Sequence, residues 1–279
     1  MADSLAQARH DLAVANRIVS HEGIIDAFGH VSMRHPTNPN HYLISRSRSP
    51  EVVEAADIYE YTLDSEPVTP LPDGIRGYGE LVIHGEIYKA RPDINAVAHH
   101  HAMAFLPFCN SGEELQPLYH MGAQIGEKVP FWDSRDEFGD TCLLVIKPEE
   151  GRSLAKTLGP YSLVLMRRHG VTVIGKTLHN LVFRTIYTYR NAELQLMAER
   201  QGAISPLTPG EARMAEDRNL EPRPQARAWE YWSVRLKKAG EYPAGAPPRG
   251  SKTESKPAAW RDKPRAAQRR PAGARRKRT

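Results

Sequence analysis

Two cysteines, Cys109 and Cys142, in 279 residues are too few for a disulfide framework, and no C-x-x-C pair offers a thiolate metal site. No apolar run approaches the ~20 residues a membrane-spanning helix requires, so a helical membrane anchor is not expected. The amino terminus, Met-Ala-Asp-Ser-Leu-Ala-Gln-Ala-Arg-His, lacks the basic-then-apolar pattern of a secretory signal, which makes a reducing cytoplasm the expected setting. A net positive charge is also missing from most of the chain. The formal net charge is +5, but twelve Lys/Arg against only Glu254 and Asp262 fall between Tyr242 and Thr279. Residues 1–241 are therefore mildly acidic and are expected to form the folded body. Residues 242–279 form a basic tail poor in core-forming residues, which is expected to be disordered. Arg269-Arg270 and Arg275 to Arg278 suit only non-specific phosphate contacts, and no base-reading module accompanies them, so specific nucleic-acid binding is not expected.

What the chain does contain is a mixture of short strands and amphipathic helices. Leu5, Ala8, Leu12, Ile18 and Val19 lie at helical spacing from about Ser4 to His21. Gly29 to Arg34 and Tyr42 to Ser45 read as strands around an Asn/Pro turn, and Ile58 to Leu63 as another. A helix is expected over Glu80 to Ala90, stopped by Arg91-Pro92. Helical character is expected again from about Met121 to Glu127, and over Pro148 to Leu158 with proline well placed at the first position. Thr141 to Ile146, Ser162 to Met166 and Val171 to Ile174 read as strands, and Thr177 to about Gln201 as a long helix. The segment up to Pro224 is polar and proline-rich, and Ala226 to Lys238 reads as a short helix with aromatic anchors. Strands and helices without strict alternation indicate a single α/β or α+β domain.

Chemistry concentrates at His99, His100 and His101, inside Ala-Val-Ala-His-His-His-Ala-Met-Ala. On a strand, His99 and His101 share one face about 7 Å apart, while His100 points the other way, into structure or an interface. Two same-face imidazoles suit a metal, although a polar surface strand has the same pattern. His169 ends an apolar strand in a His-Gly turn, where it is either a third ligand or a turn residue. Glu80 follows Gly74-Ile-Arg-Gly-Tyr-Gly79 at a helix start, where a carboxylate serves as a cap or as a fourth ligand. Three imidazoles and a carboxylate would suit Zn²⁺, Mn²⁺ or Fe²⁺ with positions left open for substrate.

Glu80, His99 nineteen positions on, the His-x-His pattern and the distant His169-Gly170 together resemble the class II aldolase/adducin family. Arg91-Pro-Asp-Ile-Asn-Ala-Val-Ala-His-His-His and Gly29-His-Val-Ser32 match two of its elements, and the resemblance runs from about Ala6 to Glu199. It implies a three-layer α/β/α sandwich around a mixed, largely antiparallel sheet, and a homotetramer with sites between subunits. It also implies one divalent metal ion per subunit on His99, His101 and His169, with Glu80 as an acid/base that can ligate the metal when substrate is absent.

The chain departs from the sugar-phosphate aldolases where they hold phosphate. Their Ser-Ser pair is Tyr78-Gly79 here, their Asn is His30, and their Thr-Pro loop is Ser45-Arg-Ser-Arg-Ser-Pro50. A tyrosine that protonates the leaving enolate in several of them aligns with His120. Imidazole and guanidinium in these places suit a carboxylate on a flat ring. Ile83 to Asp93, Gly29 to Ser32 and Trp229-Glu-Tyr-Trp232 resemble a subgroup of metal-dependent decarboxylases of dihydroxyphthalate-type and hydroxypyridine-dicarboxylate acids. The expected function is therefore non-oxidative decarboxylation of a small hydroxylated aromatic acid. Glu80 or His120 would supply the proton and His30 would orient substrate. Arg48 with Ser47 or Ser49 would anchor a second carboxylate, and Ser32 and Tyr78 would add contacts. Retro-aldol cleavage, an iron-dependent oxygenase of a hydroxyphenylpyruvate-like acid and a non-enzymatic adducin-like module are the alternatives.

Overall fold

The computed structural model describes residues 2–245. Seven strands form one sheet: β1 (His30–Arg34), β2 (His41–Ser45), β3 (Ile58–Thr62), β4 (Ala96–His100), β5 (Phe131–Trp132), β6 (Leu163–Met166) and β7 (Gly170–Gly175). Their order is β3-β2-β1-β4-β7-β6-β5, and every pairing is antiparallel except the short β5–β6 pair. This is the expected mixed, largely antiparallel sheet.

Alternation along the strands creates two cores, because successive side chains leave opposite faces. Leu43, Ala96, Ala98, Leu163, Leu165, Val171 and Val173 enter one apolar cluster, and Tyr42, Ile44, Val97, Val164, Met166 and Ile174 enter the other. Helices α1 (Ala2–His21), α6 (Leu178–Glu199) and α8 (Pro222–Ala239), with Phe108 and Cys109 of the short α3 (Leu106–Ser111), supply the first cluster. Helices α2 (Leu81–Ala90) and α5 (Pro148–Leu158), with Phe138 of the short α4 (Arg135–Phe138) against them, supply the second. The layers are thus helix, sheet, helix.

Local chemistry sets the helix limits. The Thr177 hydroxyl accepts the Asn180 N–H at the start of α6. In α5, Pro148 occupies the first turn and the Glu150 carboxylate accepts the N–H groups of Ile146 and Lys147. The proline-rich stretch holds a helix that its composition concealed, α7 (Pro209–Asn219). It starts with a reciprocal cap in which Thr208 Oγ1 accepts the Glu211 N–H and the Glu211 carboxylate accepts the Thr208 N–H. Its apolar stripe is almost absent, with Ala212 the buried apolar residue, so periodicity gave no signal.

Two other expectations need correction. Thr141 to Ile146 is not a strand. Leu143 adopts φ 69°, outside extended geometry, and the N–H groups of Val145 and Ile146 bond to the Glu80 and Glu150 carboxylates instead of a neighbouring strand. The stretch from Met121 to Glu127 holds only a 3₁₀ turn, Gly122–Ile125. The body's contacts also pass position 241. Tyr242 packs 5.6 Å from His10, and the Ala244 N–H donates to Glu54. The rest of the basic tail, 246–279, lies outside the described residues, and no described helix is long and apolar enough to cross a membrane.

Candidate metal centre

β4 runs through the middle of the sheet, so its side chains are fixed from both flanks. His99 is fully buried, and its ring projects from β4 toward two neighbours outside regular structure. His101 follows the end of β4. His169 occupies the β6–β7 turn, where Arg168 takes a left-handed φ of 53° and the His169 N–H bonds to Met166 O. Gly170 permits this closeness, since a Cβ there would lie 2.4 Å from His100 O. Glu80 stands at the N-cap position of α2, but its carboxylate makes no bond to the helix's own N–H groups.

These four side chains converge, with one ligand atom from each lying within 4.8 Å of the others. His101 Nε2 is 3.1 Å from both His99 Nε2 and His169 Nε2. Glu80 Oε2 is 3.7 Å from His99 Nε2, and Glu80 Oε1 is 3.6 Å from His169 Nε2. One sp² nitrogen offers a single in-plane lone pair or a single proton, so His101 satisfies only one of its two imidazole neighbours by hydrogen bonding. A cation at the common focus satisfies all three, and their separations approach the edge of about 3.3 Å in a tetrahedron with Zn–N bonds of about 2.05 Å. The residues therefore fit a divalent metal.

Outer contacts orient the ligands. The Thr172 hydroxyl donates to Met166 Sδ, leaving its oxygen to accept His99 Nδ1–H at 3.2 Å. That fixes the His99 proton on Nδ1 and points the Nε2 lone pair at the focus. Val145 N–H donates to Glu80 Oε1 at 2.9 Å. Burial, with a smaller contribution from Glu150, pushes the Glu80 carboxyl up to about 7 against the pull of this N–H. Burial also lowers His99, His101 and His169, the last to about 4, so all three imidazoles are neutral and ready to ligate at neutral pH.

The remaining expected site residues divide. His30 lies beside the focus, its ring 5.3 Å from His99 and 4.7 Å from Tyr78. Tyr78 is adjacent but occupied, since its hydroxyl donates to Arg48 O and also contacts Ser45 Oγ. Ser32 does not face a substrate. It is fully buried, and its hydroxyl lies between His84 and Tyr88, behind His30. Arg48 gives Nη1 to Asp57 at 2.6 Å, beside the Arg46 bond to the same carboxylate. Ser47 is exposed on that loop. His120 is exposed, its backbone oxygen taken by Asn219, and none of its contacts reaches the metal residues. Sequence reasoning missed His84, Tyr88, Asp57, Val145 and Thr172. His84 and Tyr88 left a signal: polar residues one turn apart on α2, next to the buried Ile83 and Ile87.

Residues 10–196 match the family model described as the Class II Aldolase and Adducin N-terminal domain. The chain belongs to this family. Among its relatives is the decarboxylase tropJ of Talaromyces stipitatus, 31% identical over 81% of this chain and 92% of that protein. Another is the 3,4-dihydroxyphthalate decarboxylase of Arthrobacter keyseri, 29% identical over 71% of this chain and 81% of that one. The L-fuculose 1-phosphate aldolase of Glaciozyma antarctica PI12 shares the fold, with a TM-score of 0.70 at 20% identity over 85% of this chain and 92% of the other. Membership in the class II aldolase family accounts for the sandwich.

Proposed function

We propose that the protein is a divalent-metal-dependent decarboxylase of hydroxylated aromatic carboxylic acids. The observation that carries this reading is the convergence of His99, His101 and His169 with Glu80 around one focus. Zinc, manganese or iron, one ion per subunit, would be held by His99, His101 and His169 and would supply Lewis-acid stabilisation of charge on a ring oxygen. Glu80, raised by burial to about 7, exchanges a proton near neutral pH and is the group that delivers it to the ring carbon. The carbon–carboxylate bond breaks, its electron pair passes into the ring and then into the new C–H bond, and carbon dioxide leaves. His30 positions the substrate from the neighbouring strand. Arg48 is half-buried and keeps part of its guanidinium fork free for a second carboxylate beside Asp57.

His120 serves as the alternative proton donor only across a subunit boundary, which fits a homotetramer with sites between subunits. Decarboxylation is favoured over sugar-phosphate cleavage by Tyr78-Gly79 in place of a phosphate-binding hydroxyl pair, and by the decarboxylases among the relatives. A cytoplasmic setting, and a tail beyond 241 without a specific nucleic-acid role, complete the reading. The test is a panel of hydroxylated aromatic mono- and di-acids incubated with metal-reconstituted protein and read by mass. Loss of carbon dioxide without oxygen consumption is the expected result. Aldehyde release, or oxygen uptake without carbon dioxide loss, overturns the reading.

A further inference from the structure

Behind His30, a line of four polar side chains runs into the interior. His30 Nδ1 is 2.6 Å from His84 Nε2, His84 Nδ1 is 2.6 Å from Ser32 Oγ, and Ser32 Oγ is 2.8 Å from the Tyr88 hydroxyl. His84 and Ser32 have no solvent exposure, and Tyr88 has 1%. β1 supplies His30 and Ser32 two residues apart on one face, and α2 supplies His84 and Tyr88 one turn apart, so two regular elements set every link.

The direction of the protons along this line follows from counting them. In their neutral forms the four groups carry one proton each, and three contacts use three of them. One is left over, at one end of the line, at the other, or on Ser32 if its oxygen accepts from both neighbours. The last is excluded because a spare Ser32 proton would be fully buried with no third partner among the described residues. If the protons ran from His30 inward, the surplus would be the Tyr88 phenol proton. Besides Ser32 Oγ the Tyr88 hydroxyl meets the Val97 backbone, and because that bond favours the phenolate it is donated by the Val97 N–H, so that arrangement buries a phenol proton with no acceptor. Run outward, every inner proton has an acceptor: Tyr88 donates to Ser32, Ser32 to His84 Nδ1, and His84 Nε2–H to His30 Nδ1. The surplus proton then lies on His30 Nε2. That atom has no partner among the described residues, yet it is not one of the sealed, unpaired buried atoms.

We infer that Tyr88, Ser32 and His84 are positioning residues that hold His30 as an Nε2–H donor facing the metal centre. Two consequences follow. His30 cannot act as a ligand, although its ring lies 5.3 Å from His99, because its one lone pair is committed to His84. It also reads the substrate as a donor, selecting an oxygen with lone pairs, such as a phenolate, carboxylate or carbonyl oxygen, and rejecting a group that itself offers N–H there. The identity of that oxygen rests on the proposed decarboxylase function. The direction of the protons does not.

Neutron diffraction from zinc-loaded crystals exchanged into heavy water tests this, because it shows which ring nitrogens carry deuterium. Deuterium is expected on Nε2 of both His30 and His84 and on Nδ1 of neither. Deuterium on His30 Nδ1 overturns the inference. Ser32→Ala removes the link that imposes the direction, so His84 and His30 are expected to divide deuterium between their two nitrogens. Ser32→Thr, which keeps the hydroxyl, is expected to restore the single arrangement. A Ser32→Ala protein with the same single arrangement as the parent would show that the line does not set it. None of these readouts depends on turnover, so a failed acid panel leaves them standing.

Discussion

Glu80 has a proton affinity matched to neutral pH because burial raises it while one N–H, from Val145, holds it in place. Glu80→Gln keeps the shape and the hydrogen-bonding end but cannot exchange a proton. Turnover is expected to fall by about 10²- to 10⁴-fold, with metal content unchanged by elemental analysis. Thr172→Val removes the acceptor of His99 Nδ1–H while keeping the strand-forming shape. It should weaken metal affinity by about 10- to 100-fold, measured by competition with a chelator. At this scale the convergence of His99, His101, His169 and Glu80 was legible in the sequence, the first two from their shared strand face and the other two through the family resemblance. Contacts that depend on loop conformation were not. Nothing in Ser45 to Pro50 discloses that Asp57 will claim Arg46 and Arg48, and nothing in Gly-His-Val-Ser shows that Ser32 will point inward.

Elements were legible where an apolar period or a cap was strong. Pro148 to Leu158 was read with its observed limits because proline and an apolar stripe agree there. Thr141 to Ile146 was misread because its apolar residues look like a strand, whereas its N–H groups are claimed by two carboxylates. The β6–β7 turn shows how little room such elements have. Gly170→Ala would set a Cβ 2.4 Å from His100 O, forcing β4 and β7 apart beside two ligands. A loss of about 1–3 kcal/mol in stability is expected, read by urea unfolding, together with weaker metal binding.

Across the whole molecule, burial of neutral imidazoles ties stability to pH. Burial pushes His84 down to about 3. Its folded affinity for a proton is therefore below its unfolded one, near 6.5. The stability this gives is complete above pH 6.5 and is lost as pH falls toward 3, by at most about 1.4 kcal/mol per pH unit. The His84→Asn protein should show a pH dependence shallower by that amount in unfolding titrations between pH 4 and 6. A slope equal to the parent's would mean that His84 is already protonated in the fold. The sandwich itself was legible from the family motifs, whereas α7 was hidden because a helix with almost no apolar stripe leaves no periodic trace. The pairing of β1 with β4, which sets His30 opposite His99, also has a historical consequence. A single-residue insertion within one of these strands would turn that strand's imidazole to the opposite face and break the pair, so a gain or loss of one residue there is expected to abolish the site. Length changes in 46–57 and 139–147 displace neither. Among descendants of this chain, gaps should accumulate in those two segments, and new substrates should be acquired by rewriting them while the strands keep their count.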